Sequence, residues 1–280
     1  MSPDKIDYSQ LAKKAIRIRK RILDMCHKNG CGHIGSSFSI VEILIALYSK
    51  CMNISAELKN LSQRDRLILS KGHASPALYV ILREQGLLPD QVLDSFSKNG
   101  GLLEQHPKRN SAHGIEVSTG SLGHGLSIGA GMALAAKMNN KGYRIYVILS
   151  DGECNEGSIW EATLFSSQQR LDNLIAIIDY NKIQALGNTC DIISLEPFDK
   201  KFESMGWSVC VVDGHNFEEL IPALNQIPID INKPSAIIAH TVKGKGVDFM
   251  ENELLWHYRC PDKEEYDRAA YELKKLDSKT

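Results

Sequence analysis

Asp151-Gly152, with Asn181 thirty positions further on, is the most chemically suggestive spacing in this 280-residue chain. The run Tyr143-Arg-Ile-Tyr-Val-Ile-Leu-Ser150 leads into Asp151, and Leu174-Ile-Ala-Ile-Ile-Asp-Tyr180 leads into Asn181. Both runs read as buried strands, and residues 156–170 between them read as a helix. Such a unit puts a carboxylate and a carboxamide at the exits of two adjacent parallel strands, where open α/β sheets bind ligands. Two hard oxygen ligands suit Mg²⁺ or Ca²⁺, with Mn²⁺ a further candidate. Mg²⁺ fills its remaining positions with water and phosphate oxygens. The pair predicts a metal-diphosphate site.

Four histidines stand in glycine-rich or loop contexts: Gly32-His33, Gly72-His73, Gln105-His106-Pro107 and Trp256-His257. Singly, each reads as a surface or structural residue. Around one pocket, neutral imidazoles would donate to hydroxyl or phosphate oxygens and exchange protons near neutrality, which suits a polyhydroxylated substrate. The stretch Thr119-Gly-Ser-Leu-Gly-His-Gly125 lacks both the G-x-G-x-x-G spacing and the preceding strand of a nicotinamide-nucleotide fingerprint. Gly244-Lys245 likewise lacks the strand and loop of a P-loop. A ligand-facing turn followed by a close-packing helix is the better reading of residues 119–138.

The elements that must hold these residues alternate along the chain. Residues 9–29 have helical periodicity and stop at Asn29-Gly30; small residues then fill positions 30–37 before an apolar helix at 40–52. A short strand at 66–70 precedes a helix to about residue 85. Residues 98–120 are loop-like and 123–138 helical. Beyond the central unit come a helix near 197–205, a strand at 207–212, a helix at 216–226 and a strand at 235–240. Charged residues dominate 262–280, an exposed helix or tail. This alternation predicts an α/β fold, a doubly wound parallel sheet with helices on both faces, in a single domain over residues 1–280.

Composition excludes several classes. The apolar fraction of 43% and charged fraction of 24% are ordinary for a globular protein, and a formal charge of −1 argues against a nucleic-acid surface. The basic residues between Lys13 and Arg21 read as a solvated helix face. No signal peptide is visible, and no apolar run approaches the ~18 residues of a membrane span. Seven cysteines without paired spacing fit a reducing compartment, so the expected location is cytoplasmic.

Taken together, Ser150-Asp-Gly152 through Tyr180-Asn181 resembles the Gly-Asp-Gly…Asn-Asn signature of thiamin-diphosphate enzymes. Gly32-His-Ile-Gly35, Leu69-Ser-Lys-Gly-His73, His106-Pro107, Thr119–Gly125 and Trp256-His257 are similar, in the same order, to the amino-terminal half of transketolases. The resemblance runs from about residue 10 to 262. It implies the thiamin diphosphate-binding fold, with Asp151, Asn181 and the Ile183 carbonyl as ligands of the metal that holds the diphosphate. Gly152 would donate to a diphosphate oxygen and His73 would lie against the cofactor, while Gly120 and Leu122 would approach its rings. His33, His106 and His257 would contact substrate hydroxyls and assist proton transfers. Glu156 matches a family carboxylate at the subunit contact, beside the cofactor's proton relay; it reads equally as a first-turn carboxylate favoured by the helix dipole.

Departures accompany the likeness. Ser150 and Tyr180 replace the first residues of the two signature halves, His124 stands where glutamine is frequent, and Tyr258 where glycine is common. These leave cofactor binding intact and put the usual sugar specificity in question. The family's pyrimidine-binding domain, source of the glutamate that activates the cofactor, has no counterpart here. The resemblance therefore implies an amino-terminal subunit completed by a separate pyrimidine-domain subunit, two copies of each, acting on sugar phosphates of the pentose phosphate type. Other members remain open: a deoxyxylulose-phosphate-synthase-like or specialised biosynthetic carboligase, a dehydrogenase α-subunit, or a non-catalytic partner-binding half.

Overall fold

The computed structural model describes residues 6–54 and 63–278. Five parallel strands form its sheet: β1 (Arg66–Leu69), β2 (Ile145–Ser150), β3 (Leu174–Tyr180), β6 (Ser208–Asp213) and β7 (Ser235–His240). Between β3 and β6 in sequence, β4 (Ile183–Gln184) and β5 (Gly187–Asn188) make a small antiparallel hairpin that nothing in the sequence announced. The sheet order is β1-β2-β3-β7-β6. The chain steps across the first three strands, crosses to the far edge and returns to fill the gap. In register, Ser150 lies opposite Asp179, so Asp151 and Asn181 leave adjacent strands side by side.

β2 and β3 are buried along their whole length, as strands covered on both faces must be. Alternate side chains serve two cores. Tyr146, Ile148, Ile175 and Ile177 join the core under the helices Tyr8–Asn29, Val41–Ala46, Ser75–Glu84 and Phe217–Asn225. Val147, Leu149, Ala176 and Ile178 join the other, under His124–Met138, Gly157–Gln168 and Phe198–Ser204. The doubly wound α/β arrangement is as expected.

Local chemistry sets the helix ends. Asp7 accepts from the Gln10 N–H (3.2 Å) at the start of Tyr8–Asn29, and Gly30 ends that helix at φ 63°. Several details differ from the sequence reading. The small-residue stretch holds a buried helix, Ile34–Phe38, and the expected long helix after it splits into Val41–Ala46 and a wider turn, Leu47–Cys51. By length and mean hydropathy (1.4), Ile34–Cys51 could cross a membrane, a feature the sequence reading had not recognised; 83% of it is buried within the fold, as in a core helix. Arg19 is no solvated base: it forms a buried pair with Glu42. Of the two forms expected for the charged carboxyl-terminal segment, the structure shows the helix, Lys263–Asp277, begun by a reciprocal Asp262–Glu265 capping box. It docks on the first helix through Ala269, Leu273 and a 2.8 Å hydrogen bond from Tyr266 to Asp24.

Candidate functional site

At the carboxyl ends of β1, β2, β3 and β7 a cavity of about 200 Å³ opens. Ten of the eleven residues singled out from sequence line it: His33, His73, His106, Gly120, Leu122, Asp151, Gly152, Asn181, Ile183 and His257. The eleventh, Glu156, does not. It is exposed, caps the helix Gly157–Gln168 with its backbone, and lies against the Gly123 turn.

Asp151 is 1% exposed. Its Oδ1 accepts from the Gly152 N–H at 2.7 Å and its Oδ2 from the Lys182 N–H at 2.5 Å. Burial, then the Asp179 carboxylate, pushes its carboxyl up to about 7. Asn181 accepts from the Ile183 N–H (3.1 Å), and the Ile183 carbonyl accepts from the Lys243 ammonium (3.1 Å). A carboxylate, an amide oxygen and a peptide oxygen thus share one wall, a donor set that fits a hard divalent cation. A cation there would lie beside the Asp151 carboxylate, whose two hydrogen bonds come from backbone N–H groups. Two polar atoms at the cavity, Ser36 Oγ and Gln184 Nε2, are buried without a hydrogen-bond partner, as is Thr119 Oγ1 beside Gly120. Unsatisfied polar atoms at a cavity fit a polar ligand.

Beneath this wall Asp179 gathers the Lys71 ammonium, the Thr241 hydroxyl, the Ser39 hydroxyl (2.7 Å) and the Asn181 amide (3.0 Å). Glu153, fully buried, accepts from the Ser70 hydroxyl, the Gly123 N–H (2.9 Å) and the Ser150 N–H (3.2 Å), tying three turns together. Lys71, Asp179, Glu153 and Lys243 were not singled out from sequence. Asp179 carried a signal, being the one charge in an apolar strand, where a buried charge demands a partner. Lys243 carried none.

The four histidines converge. His33 lies 5.3 Å from His73, 5.4 Å from His257 and 6.1 Å from His106, ring centre to ring centre. His33 sits at φ 63°, turning the chain into the helix Ile34–Phe38. Burial, with help from His106 and the lysines, lowers His33 to about 4; burial and Lys243 lower His257 to about 3. His73 is lowered too, by burial and Lys71. These three rings are therefore neutral near pH 7, able to donate and accept hydrogen bonds. Tyr258 adds an edge-on ring 5.4 Å from His33 and also lines the cavity. Close backbone approach closes the walls: a Cβ on Gly72 would lie 2.8 Å from Thr119, and one on Gly32 2.0 Å from the Tyr258 oxygen.

Known proteins resemble this chain along nearly its whole length. It is 42% identical over 255 residues to one subunit of the apulose-4-phosphate transketolase of Phocaeicola vulgatus, covering 91% of this chain and 90% of that one. It is 44% identical over 275 residues to the 6-deoxy-6-sulfo-D-fructose transketolase subunit of a Clostridium species, covering 98% and 99%. Human transketolase is 38% identical over 91% of this chain, which spans 40% of the human protein. The crystal structure of Campylobacter jejuni transketolase superimposes with a TM-score of 0.85 at 28% identity, over 95% of this chain and 43% of that one. Residues 9–269 match the family described as "Transketolase, thiamine diphosphate binding domain", and the chain belongs to the transketolase family.

Proposed function

We propose that this chain is the amino-terminal subunit of a transketolase that transfers a two-carbon ketol unit from a ketose phosphate to an aldose acceptor. The observation that carries this reading is the cluster of four histidines beside the Asp151–Asn181 wall in one cavity. Its near-complete coverage of chains named as transketolase subunits, against 40% of human transketolase, supports completion by a separate pyrimidine-domain subunit. Two copies of each subunit would make the enzyme. The names of those relatives point to ketoses with an anionic end, a phosphate or a sulfonate, as the substrate class.

Asp151, Asn181 and the Ile183 carbonyl would hold Mg²⁺, or Ca²⁺ or Mn²⁺ in its place. The Gly152 N–H would meet the diphosphate, while Gly120, Leu122 and His73 would border the cofactor. Thiamin diphosphate, when bound, supplies the carbanion chemistry that breaks and makes the carbon–carbon bond. This chain's own residues orient the sugar: His33, His106 and His257 hydrogen-bond its hydroxyls, and His33 and His106 move protons at their ring nitrogens. Glu156, exposed on the isolated chain, would act where the subunits meet. The odd cysteine count supports a cytoplasmic location.

The test is reconstitution. The purified chain alone should show little ketol transfer, and mixing it with its partner should restore it. Full turnover by the isolated chain sinks the split-enzyme reading. Acceptance of pyruvate instead of a ketose phosphate as donor would move the enzyme to another carboligase class.

A further inference from the structure

Two lysines lie buried at the cavity and they do different work. Lys71 pairs with Asp179. Lys243, 1% exposed, instead reaches the Ile183 carbonyl at 3.1 Å and the Nδ1 atom of His257 at 2.9 Å. A lysine ammonium carries three donors and no acceptor. At 2.9 Å from a ring nitrogen, its one favourable arrangement puts a Lys N–H on a bare Nδ1 lone pair. A proton on Nδ1 would set two donors against each other inside a buried pocket. The ring proton must then sit on Nε2.

We infer that Lys243 is a positioning residue that fixes His257 as its Nε2–H tautomer, so that the ring offers the cavity a hydrogen-bond donor and not a base. The surroundings agree. His257 is 8% exposed, has His33 and His73 at 5.4 and 5.3 Å, and stays neutral because burial and Lys243 oppose a second proton. A neutral ring held in one tautomer donates through a single fixed atom. On the ketol-transfer reading, on which only this last consequence rests, His257 would bind a sugar oxygen by donation. Removal of a hydroxyl proton would fall to another cavity group.

Nitrogen-15 NMR of the full chain labelled at histidine decides the tautomer without any assay of activity. The His257 signals are identified by their loss in His257→Gln. The expected pattern is a protonated Nε2 and an unprotonated Nδ1, persisting in Lys243→Arg and collapsing to a tautomer mixture in Lys243→Met. A protonated Nδ1 in the wild-type chain overturns the proposal, as does an unchanged pattern in folded Lys243→Met. Should that variant fail to fold, the wild-type spectrum still decides. In the complex with its partner, Lys243→Met should lower kcat about 100-fold, with Lys243→Arg recovering much of it. If the tautomer is as expected and the wild-type complex transfers no ketol unit, the function reading fails while the role of Lys243 stands.

Discussion

Asn181 donates from Nδ2 to Asp179 Oδ2 across 3.0 Å, while its Oδ1 accepts from the Ile183 N–H at 3.1 Å. These two bonds fix which end of the amide is oxygen, since each end has a partner of one kind only. The carbonyl end is thereby kept on the wall that Asp151 shares. Because Asp151 supplies the only carboxylate of the three oxygen donors, Asp151→Ala should weaken metal-dependent binding of thiamin diphosphate by more than about 100-fold. Calorimetry with Mg²⁺ and cofactor checks this, and unchanged binding would count against the assigned site.

The Arg19–Glu42–His215 group holds the first helix against the segment that carries Lys243. Arg19 meets Glu42 at 2.6 and 2.7 Å, Glu42 meets His215 at 2.9 Å, and His215 Nε2 accepts from the Val242 N–H at 2.9 Å. Burial alone would raise the Glu42 carboxyl, yet Arg19 and His215 hold it down to about 2. Since the unfolded chain protonates this group nearer its ordinary 4.5, its stabilising effect is complete above that pH and fades as pH falls toward 2. Glu42→Gln should cost about 3–5 kcal/mol, because it leaves a buried guanidinium without its charge partner. Urea unfolding between about pH 2 and 7 should show both the loss and a flattened acid limb.

His33 and His257 act on stability over a higher window. Their folded values, about 4 and about 3, lie below the ordinary 6.5, so the unfolded chain binds more protons between these limits. Stability of the cofactor-free chain should rise with pH from about 4 to about 6.5 on this account. His33→Gln and His257→Gln should each flatten that rise, read from urea midpoints at successive pH values. Steep dependence surviving in both variants would mean that other groups carry it.

Gly123 takes φ 85°, and a Cβ there would lie 2.7 Å from the Glu156 Cβ and 2.6 Å from the Ser158 hydroxyl. Gly123→Ala should cost roughly 2 kcal/mol from the left-handed backbone, with the clash added. It should also shift the turn bearing Leu122 and weaken cofactor binding. Thermal unfolding and calorimetry on one preparation measure both.

Glu156 separates the two readings of its role. Exposed and without a side-chain cap bond, it should tolerate replacement: Glu156→Gln should change the isolated chain's stability by less than about 0.5 kcal/mol. In the reconstituted enzyme the same change should lower turnover. Equal activity would leave Glu156 as a helix-start carboxylate.

Strand-borne features were legible because periodicity and strand exits are local properties. Asp151, Asn181 and their parallel neighbourhood followed from two apolar runs and the helix between them. The histidines could be suspected singly, but their convergence joins residues 33, 73, 106 and 257, contacts that no local pattern encodes. Polar partners were least visible. Lys243 looks like any loop lysine beside glycine, and only the fold turns it inward. Arg19 looked solvated because the basic residues around it, Arg17, Lys20 and Arg21, are, whereas its helix presents it to Glu42.

Gly32 and Tyr258 meet backbone to backbone beside the cavity that Tyr258 lines, with no room for even one added carbon at position 32. The loops carrying His33 and His257 are thereby packed directly against each other. For anyone reshaping the substrate range, position 32 is closed to variation, whereas the exposed Tyr258 side chain can be trimmed or enlarged without separating the two histidines.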